Sequence, residues 1–542
     1  MDPQVLLLLA GGALLLVATV RRYLAGRHLR KVRGPPAPSW WMGNSQQMNH
    51  QMEVGELDRK WVQEYGTVWR IKGLMGDDDL MIADPKALQH IFHKSGYHFP
   101  KNATARQITR EIAGEGILFA IDKDHTRIRK IMNPAFTASQ LKSFLPLFRS
   151  SAQKLGQKWK DILATTQNSS ERVNVQAWLA RCTLDVIGEV GFDIQCGALD
   201  DSLNPVMEAY KNMFADAIPY PSNFTLLFRS FWHWIPMPIL KFVQYIPTKD
   251  HTRFRKTLKV VNKFAKSLID EKTEAVLAGA GEKKKDIMSI LVKANASEDP
   301  KSRLTDEEMM SQMATFLLAG HETTASSMTW LFYELARHPE YQQKMRDEIR
   351  AIRARVADRG DADFSVVDLD AMTYCLAAMK EVLRLHPIVY YLARITSRDE
   401  VLPLASPITT TEGEVMSELP VPKGTNLIIS IWAYNRLQSI WGPDADEFNP
   451  YRFIEHEKMG ETYVGVTSNL MTFSAGMQAC IGWRFSIIEM QAILVELIEH
   501  FEFAIPEDKP EIIRFPAGLV TPLVKSEMHL GPQMPLRISP VQ

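Results

Sequence analysis

The feature that most constrains this chain is one run of helical periodicity from Thr305 to Arg337. It covers about 33 residues, or about 50 Å at 1.5 Å per residue, so the helix should cross a whole domain. Its ends are marked. Thr305 and Glu308 form a capping-box pair, and Asp306 and Glu307 suit the positive end of the helix dipole. His338-Pro339 stops it. In the middle stands Ala319-Gly320-His321-Glu322-Thr323-Thr324. Glycine there lowers helix stability by roughly 1 kcal/mol relative to alanine, and buried Glu and Thr side chains need partners. Two readings are open: a solvent-facing polar patch with an incidental glycine, or a locally opened helix where a ligand meets an acid–alcohol pair able to relay protons.

Helical periodicity dominates from about residue 130 to 387. Strand-like runs occur at Val68–Ile71, Leu80–Ile82 and Asn426–Ile431. The expected fold is therefore mainly α with small β-sheets (α+β). A second helix carries Lys380-Glu381-Val382-Leu383-Arg384-Leu385-His386-Pro387. Glu381 and Arg384 share a face, and the flanking leucines suggest burial; a surface ion pair is the ordinary alternative and would contribute little. Further on, Phe473-Ser474-Ala475-Gly476-Met477-Gln478-Ala479-Cys480-Ile481-Gly482 precedes an apolar-periodic stretch, Phe485 to Leu497. Cys480 thus belongs to a glycine-flanked loop entering a helix, a setting whose N–H groups favour thiolate. Cys182, Cys196 and Cys375 read as packing residues, and no C-x-x-C pair suggests zinc.

Charge is balanced overall, 63 Lys+Arg against 63 Asp+Glu in 542 residues, which argues against a nucleic-acid partner held by electrostatics. The balance is uneven along the chain. Val5 to Val20 carries no charge, and Arg21, Arg22, Arg27, Arg30, Lys31 and Arg33 follow at once. Sixteen helical residues cover about 24 Å, enough for a thin bilayer once the arginines snorkel. Residues 1–22 are read as a transmembrane anchor rather than a cleaved signal, because the positive charge follows the apolar run. Residues 23–44 are a basic collar and a proline-rich hinge (Gly34-Pro35-Pro36-Ala37-Pro38), and 45–542 form the body, which the positive-inside rule leaves in the cytosol. The stretch Phe224–Ile239 is dense in Phe and Trp; core packing and a membrane-interface patch fit it equally.

The threonine helix, Glu381-x-x-Arg384 and the Cys480 loop occur in an order and spacing that resemble the cytochrome P450 family. Pro450-Tyr451-Arg452-Phe453 resembles a further segment of it, and the pattern extends from about residue 35 to the C-terminus. The His125–Phe136 and Tyr434–Phe453 segments are most similar to microsomal fungal members. The resemblance implies the P450 fold and haem b, with Cys480 as axial thiolate ligand of the iron. It implies that Thr323 and Glu322 deliver protons, that Gly320 leaves room for dioxygen, and that His125, Arg129 and Arg394 hold the haem propionates. Phe473 would pack near the sulfur, and Glu381, Arg384 and Arg452 would form a buried charge network locking the cysteine loop. Gln478 departs from the pattern, which has arginine there; it supplies hydrogen bonds but no charge.

The implied reaction is monooxygenation of a hydrophobic substrate such as a terpenoid, a steroid or a polycyclic aromatic, in fungal secondary metabolism or xenobiotic oxidation. Electrons would come from NADPH through cytochrome P450 reductase on the endoplasmic reticulum membrane; Arg127, Lys130 and Arg484 are candidate docking charges, although a plain solvated surface is the favoured reading of any one of them. The alternative is a haem-binding protein of the same fold without monooxygenase activity: an isomerase, a dehydratase or an inactive member.

Overall fold

The computed structural model describes residues 26, 28–165, 170–202, 220–278, 286–299, 301–455 and 461–541. Helices dominate, and eight position the site: α1 Ala103–Ala113, α2 Asp122–Met132, α3 Ala138–Thr165, α4 Val175–Phe192, α5 Asp306–Arg337, α6 Pro339–Asp358, α7 Thr373–Leu385 and α8 Trp483–His500. The long helix α5 begins as its sequence dictates. Thr305 Oγ1 accepts the Glu308 N–H at 3.2 Å, and Glu308 Oε2 accepts the Thr305 N–H at 2.9 Å. It then runs unbroken to Arg337, so the locally opened helix considered at Gly320 is not formed. Thr323 Oγ1 instead donates to the Ala319 carbonyl at 2.7 Å, which a helix tolerates without losing its ladder. Most apolar residues of α5 from Met309 to Leu335 are buried, on nearly every side of the helix, with Ala319 the exposed exception. Helix α4 lies against it, and Thr183 Oγ1 donates to the His321 carbonyl at 3.1 Å.

The sheets are small. Strands β1 (Val68–Lys72), β2 (Asp78–Ile82), β4 (Tyr391–Ile395) and β7 (Asn426–Ser430) make one sheet in the order β1-β2-β7-β4. Leu427 of β7 stands between Leu80 and Arg394, which puts Arg394 on an edge strand. Strands β3 (Glu171–Asn174), β8 (Phe501–Ala504) and β11 (Pro535–Pro540) form a second sheet, β3-β11-β8. Two hairpins complete the set: β5 (Glu400–Thr409) with β6 (Val415–Val421), and β9 (Ile512–Pro516) with β10 (Val520–Val524). The runs at 68–71, 80–82 and 426–431 are thus strands, apart from Ile431, which opens a helical turn.

A contiguous hydrophobic core extends from Leu29 to Ile538 and includes Cys182, Cys196 and Cys375. The described part of the hinge lies along the body: Leu29 and Val32 are buried, Arg70 N–H donates to the Arg33 carbonyl at 2.9 Å, and Asn44 N–H donates to the Lys72 carbonyl at 2.7 Å. The apolar run Val5–Val20, expected to span a membrane, lies outside the described residues. Among the described residues no helix is long and apolar enough to cross one.

Candidate active site

The cysteine loop is built by its glycines and its own backbone. Cys480 N–H donates to the Phe473 carbonyl at 2.8 Å, and Ala479 N–H to the Gly476 carbonyl at 3.1 Å, closing a tight double turn. Gly476 has φ +62°, and a Cβ there would lie 1.9 Å from the Phe92 carbonyl oxygen, so no other residue fits. Phe473 is half-buried against the core. Of the four cysteines, only Cys480 is exposed. Burial of the loop pushes its thiol above the ordinary value, while the Gly482 N–H and the Arg129 guanidinium pull it down. The thiolate expected from the loop alone therefore needs a further positive partner; these two donors do not offset desolvation.

Three cations converge beside the loop. Arg129 on α2 donates Nη1 to the Ala479 carbonyl at 2.6 Å. Arg394 on β4 is buried, lies over the Phe92 ring at 5.6 Å and donates to its neighbour's carbonyl. Burial lowers its pKa to about 10. Lys101 donates to the carbonyls of Ile117, Leu118 and Ala120 at 3.1, 2.6 and 3.2 Å. None of the three pairs with a carboxylate among the described residues. His125, one turn before Arg129, is buried and bonds Tyr97 Oη through Nδ1 at 2.7 Å. Burial, then Lys101, Arg129 and Arg394, lower its pKa to about 4, so it is neutral. Gln478 brings no charge, and its buried Oε1 has no hydrogen-bond partner. Cations without carboxylate partners, Arg394 buried and Arg129 and Lys101 half-buried, suit a group that carries acidic side arms.

The middle of α5 is joined to α8, the helix the loop leads into, through Thr324, whose hydroxyl meets Ser486 Oγ at 3.1 Å. Ala319 is exposed and Gly320, Glu322 and Thr323 half-buried, so this face is the unpacked side of an otherwise buried helix. A Cβ on Gly320 would come within 2.8 Å of Ile187 on α4. Glu322 Oε1 lies 3.2 Å from Nε2 of buried His321. Burial works against charge on both, but their mutual bond outweighs it: the Glu322 carboxyl sits below its ordinary value and the His321 imidazole above. Each thus favours the charged form of the other, next to Thr323 in the chain.

Below the loop lies a wholly buried charge cluster. Arg384 holds Glu381 with two bonds of 2.8 Å, and Arg452 Nε meets Glu381 Oε1 at 3.1 Å. Arg384 also donates to the carbonyls of Asn435, Ala445 and Glu447, and Arg452 to those of Trp441 and Asp444. Asn435 links the cluster to the loop: its Oδ1 accepts Met471 N–H at 3.1 Å and its Nδ2 donates to Thr472 Oγ1 at 2.9 Å, directly before Phe473.

The structure thus brings Cys480, Arg129, His125, Arg394 and Gln478 to one edge, sets Gly320, Glu322 and Thr323 on a helix tied to α8, and collects Glu381, Arg384 and Arg452 beneath the loop. Sequence reasoning missed Lys101, Tyr97 and Asn435. The first two stand in a loop without periodicity; Asn435, in a helical turn, carries no motif until its partners are known. Arg127, Lys130 and Arg484 are engaged within the chain, with Glu308 (2.5 Å), Glu298 (2.9 Å) and Asp370 respectively. The aromatic stretch divides: Leu226 and Trp232 are buried, whereas Phe224, Trp234 and Ile239 are exposed.

A family model described as cytochrome P450 matches residues 33–529. Cytochrome P450 monooxygenase 205 of Postia placenta is 34% identical over 528 residues, covering 95% of this chain and 94% of that protein. Cytochrome P450 monooxygenase 128 of the same fungus is 35% identical, with 94% and 92% covered. Cytochrome P450 monooxygenase claP of Ampulloclitocybe clavipes is 30% identical, with 96% of each covered. With a motif set, a fold and full-length relatives that agree, this chain belongs to the cytochrome P450 family and is an oxidoreductase of the monooxygenase kind.

Proposed function

We propose that the protein inserts one oxygen atom from dioxygen into a hydrophobic small molecule, using haem b held through Cys480 and electrons passed from NADPH by cytochrome P450 reductase. The observation that carries the reading is the exposed thiol of Cys480 set among Arg129, Arg394 and Lys101, cations with no carboxylate partner among the described residues. Those residues fit haem: a thiol for the iron, guanidinium and ammonium groups for two propionates, and a Gln478 amide able to donate a further hydrogen bond. Bound haem would supply dioxygen activation and oxygen-atom transfer, which no side chain here can perform.

The protein's own part is positional and protonic. The Glu381–Arg384–Arg452 cluster, through Asn435, holds the loop that presents the Cys480 sulfur. Thr323 Oγ1, which rests on the Ala319 carbonyl, would leave that bond to donate its hydrogen into the site. The proton that recharges that hydroxyl would come from His321, passed through the Glu322 carboxylate bonded to its Nε2. Presence of both groups favours the monooxygenase over the isomerase, dehydratase and inactive readings; the inactive one rests on Gln478 alone.

Substrates are taken to partition into lipid, in the terpenoid, steroid or polycyclic aromatic range, and the role proposed for the protein is in fungal secondary metabolism or xenobiotic oxidation. An anchor over residues 1–22 would place the body on the cytosolic face of the endoplasmic reticulum. This is supported by the exposed Phe224, Trp234, Ile239, Phe242 and Tyr245, a patch suited to the headgroup region. Its supporting segment is joined to the N-terminal end of the body, where His50 stacks on Tyr220 and bonds the Pro221 carbonyl. The test is a hydrophobic library screened for a shift of the haem spin state, followed by turnover of each hit with reductase and NADPH. NADPH consumption matched by hydroxylated product is expected; haem-loaded protein that turns over no binding compound would overturn the reading.

A further inference from the structure

We propose that the lysine face of the helix Lys249–Leu277 is a docking surface for anionic lipid headgroups. The proposal rests on the membrane reading above and deepens it by naming the lipid. Residues 241–266 carry eight lysines and arginines against one acid, Asp250. Arg253 pairs with Asp250 at 3.0 Å, and Arg255 donates to the Gln244 carbonyl at 2.9 Å. Lys266 pairs with Asp270 and Asp306. Lys249, Lys256, Lys259 and Lys263 are exposed and meet no carboxylate among the described residues. Their order is regular. Seven residues fall about 20° short of two helical turns, so Lys249, Lys256 and Lys263 form one line, about 10.5 Å apart, with Lys259 on the line beside it. The opposite face, with His251, Val261, Ala265 and Leu268, is buried. The arrangement costs the helix stability, because Lys256 and Lys259, and Lys259 and Lys263, are like charges three or four residues apart. Charges that weaken their own helix and find no counter-ion in the chain are compensated from outside it.

The occupant is read from what adjoins this face. Phe242 and Tyr245, exposed members of the aromatic patch, and exposed Ile246 stand directly before the helix. Arg255 lies over the Tyr245 ring at 5.7 Å, and His251 Nδ1 bonds the Ile246 carbonyl at 3.2 Å, which fixes the aromatic turn to the start of the helix. Rings held at headgroup depth bring the start of the lysine line within a Debye length, about 10 Å at 0.1 M salt, of the lipid charge. Ammonium groups are point charges without a fixed fork, which suits headgroups that move laterally better than the fixed carboxylates of a protein.

The test is lysine footprinting of the full-length protein in nanodiscs of phosphatidylcholine alone or mixed with phosphatidylserine. Reductive methylation by formaldehyde and dimethylamine-borane, both neutral, is read residue by residue by mass spectrometry. Lys249, Lys256 and Lys263 are expected to react about fivefold more slowly in the phosphatidylserine discs, the scale of one lysine at an anionic surface. The difference should vanish in 0.5 M salt, and exposed Lys142 on α3 should react alike in both. Lys249→Gln with Lys263→Gln, both at exposed positions, should lower the protection left at Lys256, because the attraction is collective. Equal rates in the two discs, or protection at Lys256 that ignores its neighbours, would overturn the proposal. Protection that is the same in both lipids and needs added reductase would assign the face to an acidic protein and overturn it too. A full-length protein that enters neither disc would instead overturn the membrane reading itself.

Discussion

Arg384→Met removes the centre of the buried charge cluster, and its cost can be worked from the contacts. Arg384 makes two bonds to Glu381 and three to the carbonyls of Asn435, Ala445 and Glu447. After the substitution Glu381 Oε1 keeps Arg452 Nε and the Asn449 N–H, but its Oε2 loses the Arg384 Nε donor in a site with no exposure. Stranding a buried partner in this way costs about 3–5 kcal/mol, a large share of the roughly 5–15 kcal/mol that keeps a protein folded. Urea unfolding followed by tryptophan fluorescence should report that loss, and haem content should fall with it, since Asn435 ties the cluster to Met471 and Thr472. Adding Glu381→Gln removes the stranded charge, so the double variant should be more stable than Arg384→Met alone. A loss below about 1 kcal/mol for Arg384→Met, the range of a surface pair, would refute the claim that this cluster is a buried keystone.

Gly476→Ala should abolish haem incorporation while leaving helix content intact by circular dichroism, because the new Cβ meets the Phe92 carbonyl at 1.9 Å with φ at +62°. Thr323→Ala should keep substrate binding and NADPH oxidation but divert electrons from product; unchanged coupling would remove Thr323 from the proton route. A pH effect follows from His386, which burial holds at a pKa of about 4 although Glu334 accepts from it at 2.8 Å. A depressed folded pKa gives stability that is complete above the unfolded value of about 6.5 and declines as pH falls toward 4. His386→Phe, which preserves the stack on Trp330, should therefore lose less stability than the parent between pH 7 and 5.5, by about 1 kcal/mol.

The motif residues were legible because their chemistry is local. A capping box, an i, i+3 acid–arginine pair and a glycine-bounded cysteine declare themselves within ten residues, and each is found as read. What the sequence could not carry is chemistry made by distant neighbours. The opened helix at Gly320 was a sound inference from propensity, but Thr323 satisfies its hydroxyl on Ala319 within an intact helix. The low thiol pKa expected for Cys480 is not found, because desolvation by the surrounding loop outweighs the Gly482 N–H and the Arg129 guanidinium. The strands β8 to β11 were not anticipated, since β8 and β11 exist by pairing across the chain rather than by pattern. Lys101 is the plainest case: an unremarkable lysine after Phe99-Pro100 whose significance comes only from where Arg394 and Ile121 bring their own elements.

The central claim is that Cys480 is the thiolate ligand of haem. Its most direct test is the carbon-monoxide difference spectrum of the dithionite-reduced, full-length protein beside Cys480→Ala. The account predicts the red-shifted Soret band of thiolate-ligated haem in the parent and its loss in the variant. A parent spectrum without that band, or a variant that retains it, would contradict the account.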